Sequence, residues 1–282
     1  MPEEIVTSIK GFELNWKCRD FQFEIGKTYE QSGDIVACEN GFHAIEGHPL
    51  EVFGYYAPGL SRYAEVQQSG QIARHRDDSK VASAKITIGV ELHLHDLIQR
   101  AVKWVFDHAK PENTEHATGI YGAASSTGAR GAASSTGDYG AASSTGYQGA
   151  TSSTGDYGVA SSTGAQGVAS STGAQGAASS TGDYGAASST GARGAASSTG
   201  YQGAASSTGY QGAASSTGYR GAAMASGFEG RVMGTDGNAL FLVRRDSDGE
   251  ITHAWAGIVG RDGIEPNVWY TLGADGKPEE VK

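Results

Sequence analysis

Four residues near the start of the chain are of types that bind zinc: Cys18, Cys38, His43 and His48. Their spacing contains no CxxC or HxxxH pair, so a buried cysteine pair with ordinary histidines is the simpler expectation, and no metal or cofactor is expected. Cys38 and His43 also suggest a thiolate activated by imidazole, but closeness in sequence supplies no geometry. His93 and His95 beside Asp96 suit acid–base work or a divalent cation, although a strand end running into a helix start accounts for them better. The many serines lie in a repeat without a Gly-x-Ser-x-Gly elbow, and no glycine-rich phosphate loop with its lysine is present. No catalytic residue is therefore assigned. An enzyme reading requires a deep cleft around His43, Tyr55, Tyr56 and Arg62.

A second set of chemically useful residues recurs at regular intervals. Tyr139, Tyr147, Tyr157, Tyr184, Tyr201, Tyr210 and Tyr219, with Arg130, Arg193 and Arg220, occupy the last two positions of a nine-residue unit, Gly-Ala-Ala-Ser-Ser-Thr-Gly-x-x. Tyrosine and arginine offer contact area and a polar tip at low entropic cost, which makes these ten residues candidate anchors for a protein partner. Stacked along an edge, the same rings would simply shield thin strands from solvent.

The unit runs from Gly122 to Arg220 in eleven copies, with decayed copies beginning at Gly221 and Gly230 and another spanning Asn113 to Tyr121. A flexible Gly/Ser linker has no use for strict register, whereas a solenoid demands it. Two units supply two strands and two turns, so an eighteen-residue flattened coil is predicted; a three-sided coil of twenty-seven residues is the alternative. Each turn would read Gly-x-x-Gly, as in Gly137-Asp138-Tyr139-Gly140, with a glycine on either side for positive φ. Position five stays small even in the decayed copies (Ala117, Ala225, Gly234), while position four admits His116, Met224 and Met233. Positions three, five and seven, such as Ala133, Ser135 and Gly137, are therefore expected inside, and Ala132, Ser134 and Thr136 outside. Stacked inward serines predict a ladder of hydroxyls serving each other or the backbone. The array shares its period with calcium-binding nonapeptide rolls, but three aspartates in eleven copies cannot supply a ladder of hard oxygen ligands.

Charge narrows the choice of partner. Of the net −10, residues 1–117 carry −6, residues 221–282 carry −4, and the array between them is neutral. A neutral rod neither grips nucleic acid nor mimics its backbone, so no nucleic-acid partner is expected. Two cysteines without a secretory leader point to a cytoplasmic setting, and no apolar run reaches the roughly 18–20 residues that span a bilayer, so no membrane partner is expected either.

The ends must cap the rod, because a terminal coil is an open sheet edge. Three domains follow: an α+β domain over 1–112, a β-solenoid over 113–238 and a small antiparallel β cap over 239–282, making a mainly β protein. In the first, strands are predicted at Phe21–Ile25, Ile35–Cys38, Arg62–Val66 and Val81–Leu92, with a short helix at Pro49–Tyr56. A stronger helix runs from Asp96 to His108, its apolar stripe formed by Leu97, Ile98, Ala101, Val102, Val105 and Phe106; it is expected to cover the first open coil. In the cap, strands are predicted at Ala239–Arg244, Ile251–Val259 and Asn267–Leu272, with Trp255 and Trp269 in its core.

The run Lys17 to Tyr29 (KCRDFQFEIGKTY), followed by Cys38 to His43 (CENGFH) and Ala82 to Ile88 (ASAKITI), resembles an uncharacterised domain of phage and prophage proteins. The GAASSTG array and the closing Trp255 to Gly263 segment (WAGIVGRDG) resemble its usual companions. The resemblance implies viral origin and carries no catalytic residue. The expected function is thus a non-enzymatic phage-encoded binding or scaffold protein, its solenoid acting as a rigid spacer and display surface for a protein partner. An inhibitor of a host defence protein and a virion-associated fibre component, as a dimer or trimer, both fit that class. An ice-binding solenoid is a further alternative, if Ser134, Thr136 and their equivalents form regular outward rows.

Overall fold

The computed structural model describes residues 4–75, 79–108 and 116–281. By their contacts these form two compact units, residues 1–97 and 98–282. The protein is mainly β, with an α+β N-terminal region, a central solenoid and a small antiparallel C-terminal sheet.

In the N-terminal unit the strands are β1 (Val6–Glu13), β2 (Lys17–Cys18), β3 (Phe21–Gln22), β4 (Thr28–Glu30), β5 (Phe42–Ile45), β6 (Ser61–Arg74) and β7 (Lys80–Leu92). A 3-10 helix at Pro49–Gly54 follows β5, with proline in its first turn as the sequence suggested. The antiparallel order β7–β5–β1–β6 closes on itself through β6–β7, and β4 adds to the side of β7. Inside lie Phe12, Phe42, Ala64, Val66, Ile86 and Ile88. Gln68 is fully buried among them and satisfies its polarity by donating to the carbonyls of Phe42 (2.7 Å) and Val81 (3.2 Å) and accepting from Ser8 (2.5 Å). Ile35–Cys38 is not a strand; it turns back on itself through a single Val36–Asn40 bridge. The strand predicted at Phe21–Ile25 shrinks to the two residues of β3.

The helix α1 (Leu94–His108) begins two residues earlier than its periodicity suggested. Asp96 accepts a hydrogen bond from the His93 backbone N–H (2.9 Å), so it serves the helix start. Leu97, Ile98, Ala101 and Val102 are buried as predicted; the side chains of Val105 and Phe106 lie outside the described residues. Within the second unit α1 runs beside the rod, with Gln99 donating to Ser161 (3.3 Å) and the Trp104 ring 5.7 Å from that of Tyr121. The Tyr121 contact lies on the first coil, which this helix is expected to cover, and the Ser161 contact lies farther along the back sheet.

The solenoid strands start at β8 (His116–Ala117) and β9 (Ala123–Ser126), recur every nine residues, and end at β20 (Ala222–Ala225) and β21 (Arg231–Gly234). The start of the copy expected from Asn113 lies outside the described residues. Even-numbered strands stack in parallel as a front sheet and odd-numbered strands as a back sheet. Each residue pairs with the one eighteen positions on, Ser134 with Ser152 and Ser143 with Ser161, so the coil contains two repeats. Positions three and five point inward, with Ala142, Ala160, Ser135 and Ser153 at or below 1 % exposure. The inward serines bond to the backbone. Ser135 donates across the coil to the carbonyl of Gly122 (3.1 Å), Ser171 to Gly158 (3.2 Å) and Ser189 to Gly176 (3.3 Å), tying one sheet to the other. In the back-sheet row Ser126, Ser144 and Ser198 stand without a hydrogen bond. Thr151, the one threonine at position three, donates to Val168 O (3.3 Å).

The turns overturn the expected use of glycine. Positive φ falls on position nine, which is never glycine: Tyr139 (56°), Gln166 (59°), Arg193 (55°) and Arg220 (58°). Arg130, one turn before Tyr139, keeps negative φ. With Gly140 N–H donating to Gly137 O (3.0 Å), each Gly-x-x-Gly from Gly137 onward is a type II turn, which normally reserves position nine for glycine. A left-handed residue there costs on the order of 1 kcal/mol. It also turns the preceding peptide along the rod axis, so position nine donates to the carbonyl of position eight in the next coil, as in Tyr139 to Asp156 (2.8 Å) and Gln175 to Ala192 (2.8 Å). The flanking glycines are required by space. A Cβ on Gly173 would stand 1.9 Å from the Gly155 carbonyl oxygen, and one on Gly176 2.2 Å from Ser171 Oγ.

At the C-terminal end both sheets continue. β22 (Ala239–Arg245) adds in parallel to β20 and carries β23 (Ile251–Ile258) antiparallel; β24 (Tyr270–Leu272) pairs with β21 and carries β25 (Pro278–Glu280). The inward rows enlarge from alanine and serine to Val232, Leu240 and Leu242, joined by Val259, Ile264, Tyr270 and Leu272. Trp255 only packs against this core and Trp269 is half-buried, so neither tryptophan is its centre. Buried Asn238 donates to Ser216 O (2.6 Å) and closes the last coil.

Gly173→Ala should therefore lower the unfolding free energy by about 1–3 kcal/mol through overpacking. Gln175→Gly, in the same turn, should leave it unchanged or raise it by up to about 1 kcal/mol. Urea denaturation distinguishes the two, and equal losses would show that crowding does not decide the glycine positions.

Candidate functional site

Because successive repeats alternate between the sheets, their variable turn pairs divide between two edges. Turns leaving the back sheet hold Arg130, Tyr147, Tyr184, Tyr201, Tyr219 and Arg220; turns leaving the front sheet hold Tyr139, Tyr157, Arg193 and Tyr210. On the front-leaving edge Tyr139 and Tyr157 stack with centroids 4.9 Å apart, and Tyr210 stacks on Phe228 at 5.5 Å. On the opposite edge Tyr201 lies 5.6 Å from Tyr184 and 6.0 Å from Tyr219, and the Arg220 guanidinium sits 5.1 Å over the Tyr219 ring. Arg130 donates to Gln148 (3.2 Å) and Gln148 to Gln166 (2.8 Å), while Arg193 donates to Gln211 (3.3 Å). Nine of the ten thus meet a neighbour along their own edge. Tyr147, Tyr184, Tyr210 and Tyr219 still expose half or more of their surface.

The aspartates of the turns have a role that sequence reasoning missed. Asp138 accepts from the Asp156 N–H (3.1 Å), Asp156 from Ala174 (2.9 Å) and Asp183 from Tyr201 (3.1 Å). Each caps the position-eight amide one coil on, which its neighbour eighteen residues away could have suggested.

A different site lies in the N-terminal unit, where a cavity of about 720 Å3 opens beside β1 and β5. His43, Tyr55 and Tyr56 line it, as the enzyme reading required, but Arg62 does not. That arginine faces Glu91 (3.6 Å) and stacks over Trp16. The residue that sequence reasoning overlooked is Lys10. It is 4 % exposed, lines the cavity, and donates to the His43 carbonyl (2.8 Å) and toward Cys18 Sγ (3.5 Å). Cys18 Sγ in turn lies 3.0 Å from the Tyr56 hydroxyl. Gly11 allows this cluster to form, since a Cβ there would stand 2.3 Å from the Tyr56 ring. Arg19 and Cys38, which also line the cavity, both hold left-handed backbone (φ 54° and 67°).

Burial holds the Lys10 ammonium below the usual lysine range; the adjacent Cys18 opposes this and Arg19 adds to it. Burial also pushes the His43 imidazole down, helped by the positive charges of Lys10, Arg19 and Lys80. Burial, then the bond to Cys18, pushes the Tyr56 phenol up. His43 Nε2 accepts the Cys38 backbone N–H (2.9 Å), so its contact with Cys38 is through the amide and not the thiol. Both cysteines are free. Cys18, Cys38, His43 and His48 do not converge, and among the described residues no cluster of His, Cys, Asp or Glu is arranged to hold a metal. His93 is exposed, while His95 is pulled down by burial against the opposing charge of Asp96.

A lysine whose pKa is lowered by folding carries its burial cost fully below the folded value, and that cost fades as pH rises toward 10.5. Lys10→Met should accordingly be more stable than the parent by about 1–2 kcal/mol near neutral pH, with the advantage shrinking toward pH 10.5. Paired thermal melts across this range read the difference; an advantage that grows with pH contradicts it.

No helix among the described residues is long and apolar enough to cross a membrane. Residues 6–100 match a domain of unknown function, DUF7666, which spans the cavity and the start of α1. No curated protein and no solved structure matches the chain.

Proposed function

We propose that the chain is a non-enzymatic, phage-encoded binding or scaffold protein, acting in the cytoplasm of a host cell or on a virion. Its solenoid displays two edges to a protein partner. The observation that carries this reading is the solenoid's own geometry. Its turns and strands hydrogen-bond from coil to coil in one register from β8 to β21, which makes a stiff support. Sequence variation is concentrated in the exposed turn pairs that such a support holds out, and exposed tyrosines are efficient anchors. Viral origin rests on the resemblance of the N-terminal segments and the array to phage and prophage proteins.

A photo-crosslinking residue placed at Tyr147, and separately at Tyr210, samples one edge each in cells. The reading expects one discrete adduct from one edge, lost when the neighbouring tyrosines of that edge are changed to serine and unaffected by the same changes on the other. Diffuse or absent adducts from both edges would remove it, and enrichment in purified virions separates a fibre component from a host-protein inhibitor.

The front sheet supports a second reading. Thr136, Thr154, Thr172, Thr190 and Thr208 form an exposed row at a spacing of about 4.8 Å, beside a half-exposed row of serines. Such regular hydroxyls can order water as ice-binding solenoids do. Thermal hysteresis that disappears in Thr154→Tyr/Thr172→Tyr is the expected result of that reading, and its absence in the parent protein rules it out.

A further inference from the structure

We propose that the cavity of the N-terminal unit binds a small organic anion with a flat apolar body, its charged group seated at the ammonium of Lys10. The volume, about 720 Å3, falls within the range of small-molecule sites. Lys10 is the reason for assigning an anion. Its ammonium is buried, yet among the described residues no carboxylate lies within ion-pair distance; a carbonyl and a thiol sulfur are its acceptors. A buried charge without a counter-charge is costly, and a ligand carboxylate, sulfonate or phosphate would supply it.

The surroundings agree on sign and shape. Arg19 and Lys80 also line the cavity, against the single carboxylate of Asp20, in a region whose overall charge is −6. The His43 imidazole is held down first by burial and then by the positive charges of Lys10, Arg19 and Lys80, in keeping with that excess of positive charge. The apolar part of the wall is largely aromatic, with Phe21, Phe23, Phe42 and Tyr55, and Phe21 stands 45 % exposed. Rings of this kind prefer a planar partner. The Lys80 ammonium lies 4.3 Å from the centre of the Tyr55 ring, so charge and aromatic surface meet at one point of the wall.

The test uses the full chain and two probes that differ only in the sulfonate group: 8-anilinonaphthalene-1-sulfonate and its neutral parent N-phenyl-1-naphthylamine. One equivalent of the sulfonate should bind, at least tenfold more tightly than the neutral probe, and Lys10→Met should weaken the sulfonate at least tenfold while changing the neutral probe less than twofold. Should Lys10→Met not fold, Arg19→Gln/Lys80→Gln carries the same test with a smaller expected loss of three- to tenfold. Equal affinity for the two probes, sulfonate binding indifferent to these substitutions, or no binding of either probe overturns the proposal.

Discussion

Coils of this solenoid can stack at hydrogen-bonding distance only if nothing stands between the seventh residue of one repeat and the carbonyl of its counterpart eighteen residues earlier. That separation leaves no room for a methyl group: a Cβ on Gly164, Gly182 or Gly200 would sit at 1.8–2.0 Å from the carbonyl oxygen below it. The first glycine of each repeat is constrained in the same way by the inward serine of the preceding strand. Chain entropy would favour other residues at both places. Close approach decides against them.

The remaining features follow from that contact. Coils so close together have a core only one small side chain thick, so alanine and serine fill it, and the serine hydroxyl is short enough to reach the glycine carbonyl of the opposite sheet. Little apolar area is buried per residue, and hydrogen bonding must hold the stack. The turns therefore adopt a backbone that is individually unfavourable for tyrosine, glutamine or arginine because it places one more peptide in the coil-to-coil ladder. Only at the C-terminal end, where Leu240, Leu242 and Tyr270 enter, does the interior resemble that of an ordinary domain.

Much of this architecture is legible in the sequence, since a period of nine with small residues at fixed places admits few folds. The two-repeat coil and the inward positions could both be read from it. The turn conformation could not, because the usual association of positive φ with glycine points to the wrong residues when glycine is needed for space. The N-terminal unit was harder. The strand Val6–Glu13 has no clean alternation, as Ile9, Lys10, Gly11 and Phe12 are all buried in succession. Its lysine consequently looks like any exposed strand residue. The Lys10–Cys18–Tyr56 cluster joins positions up to forty-six apart, and no local pattern announces it. A lysine enclosed by Ile9, Gly11 and Phe12 was the available signal. Leu97, Ile98 and Ala101, by contrast, were plain from helical spacing alone.

Two repeats per coil make the rod sensitive to parity. Tandem repeats this alike gain and lose copies easily, but one nine-residue unit is half a coil. Adding a single copy within the array would send every downstream strand to the opposite sheet and exchange the two edges, so that Tyr184 and Tyr219 would change places with Arg193 and Tyr210. At the far end Asn238 and Ser216 would move together, so the cap would still close the last coil, but with the two edges exchanged relative to the start of the rod. Copies added in pairs preserve faces and edges. The rod can therefore change length freely only in steps of eighteen residues, and its surface pattern is inherited as a two-repeat word.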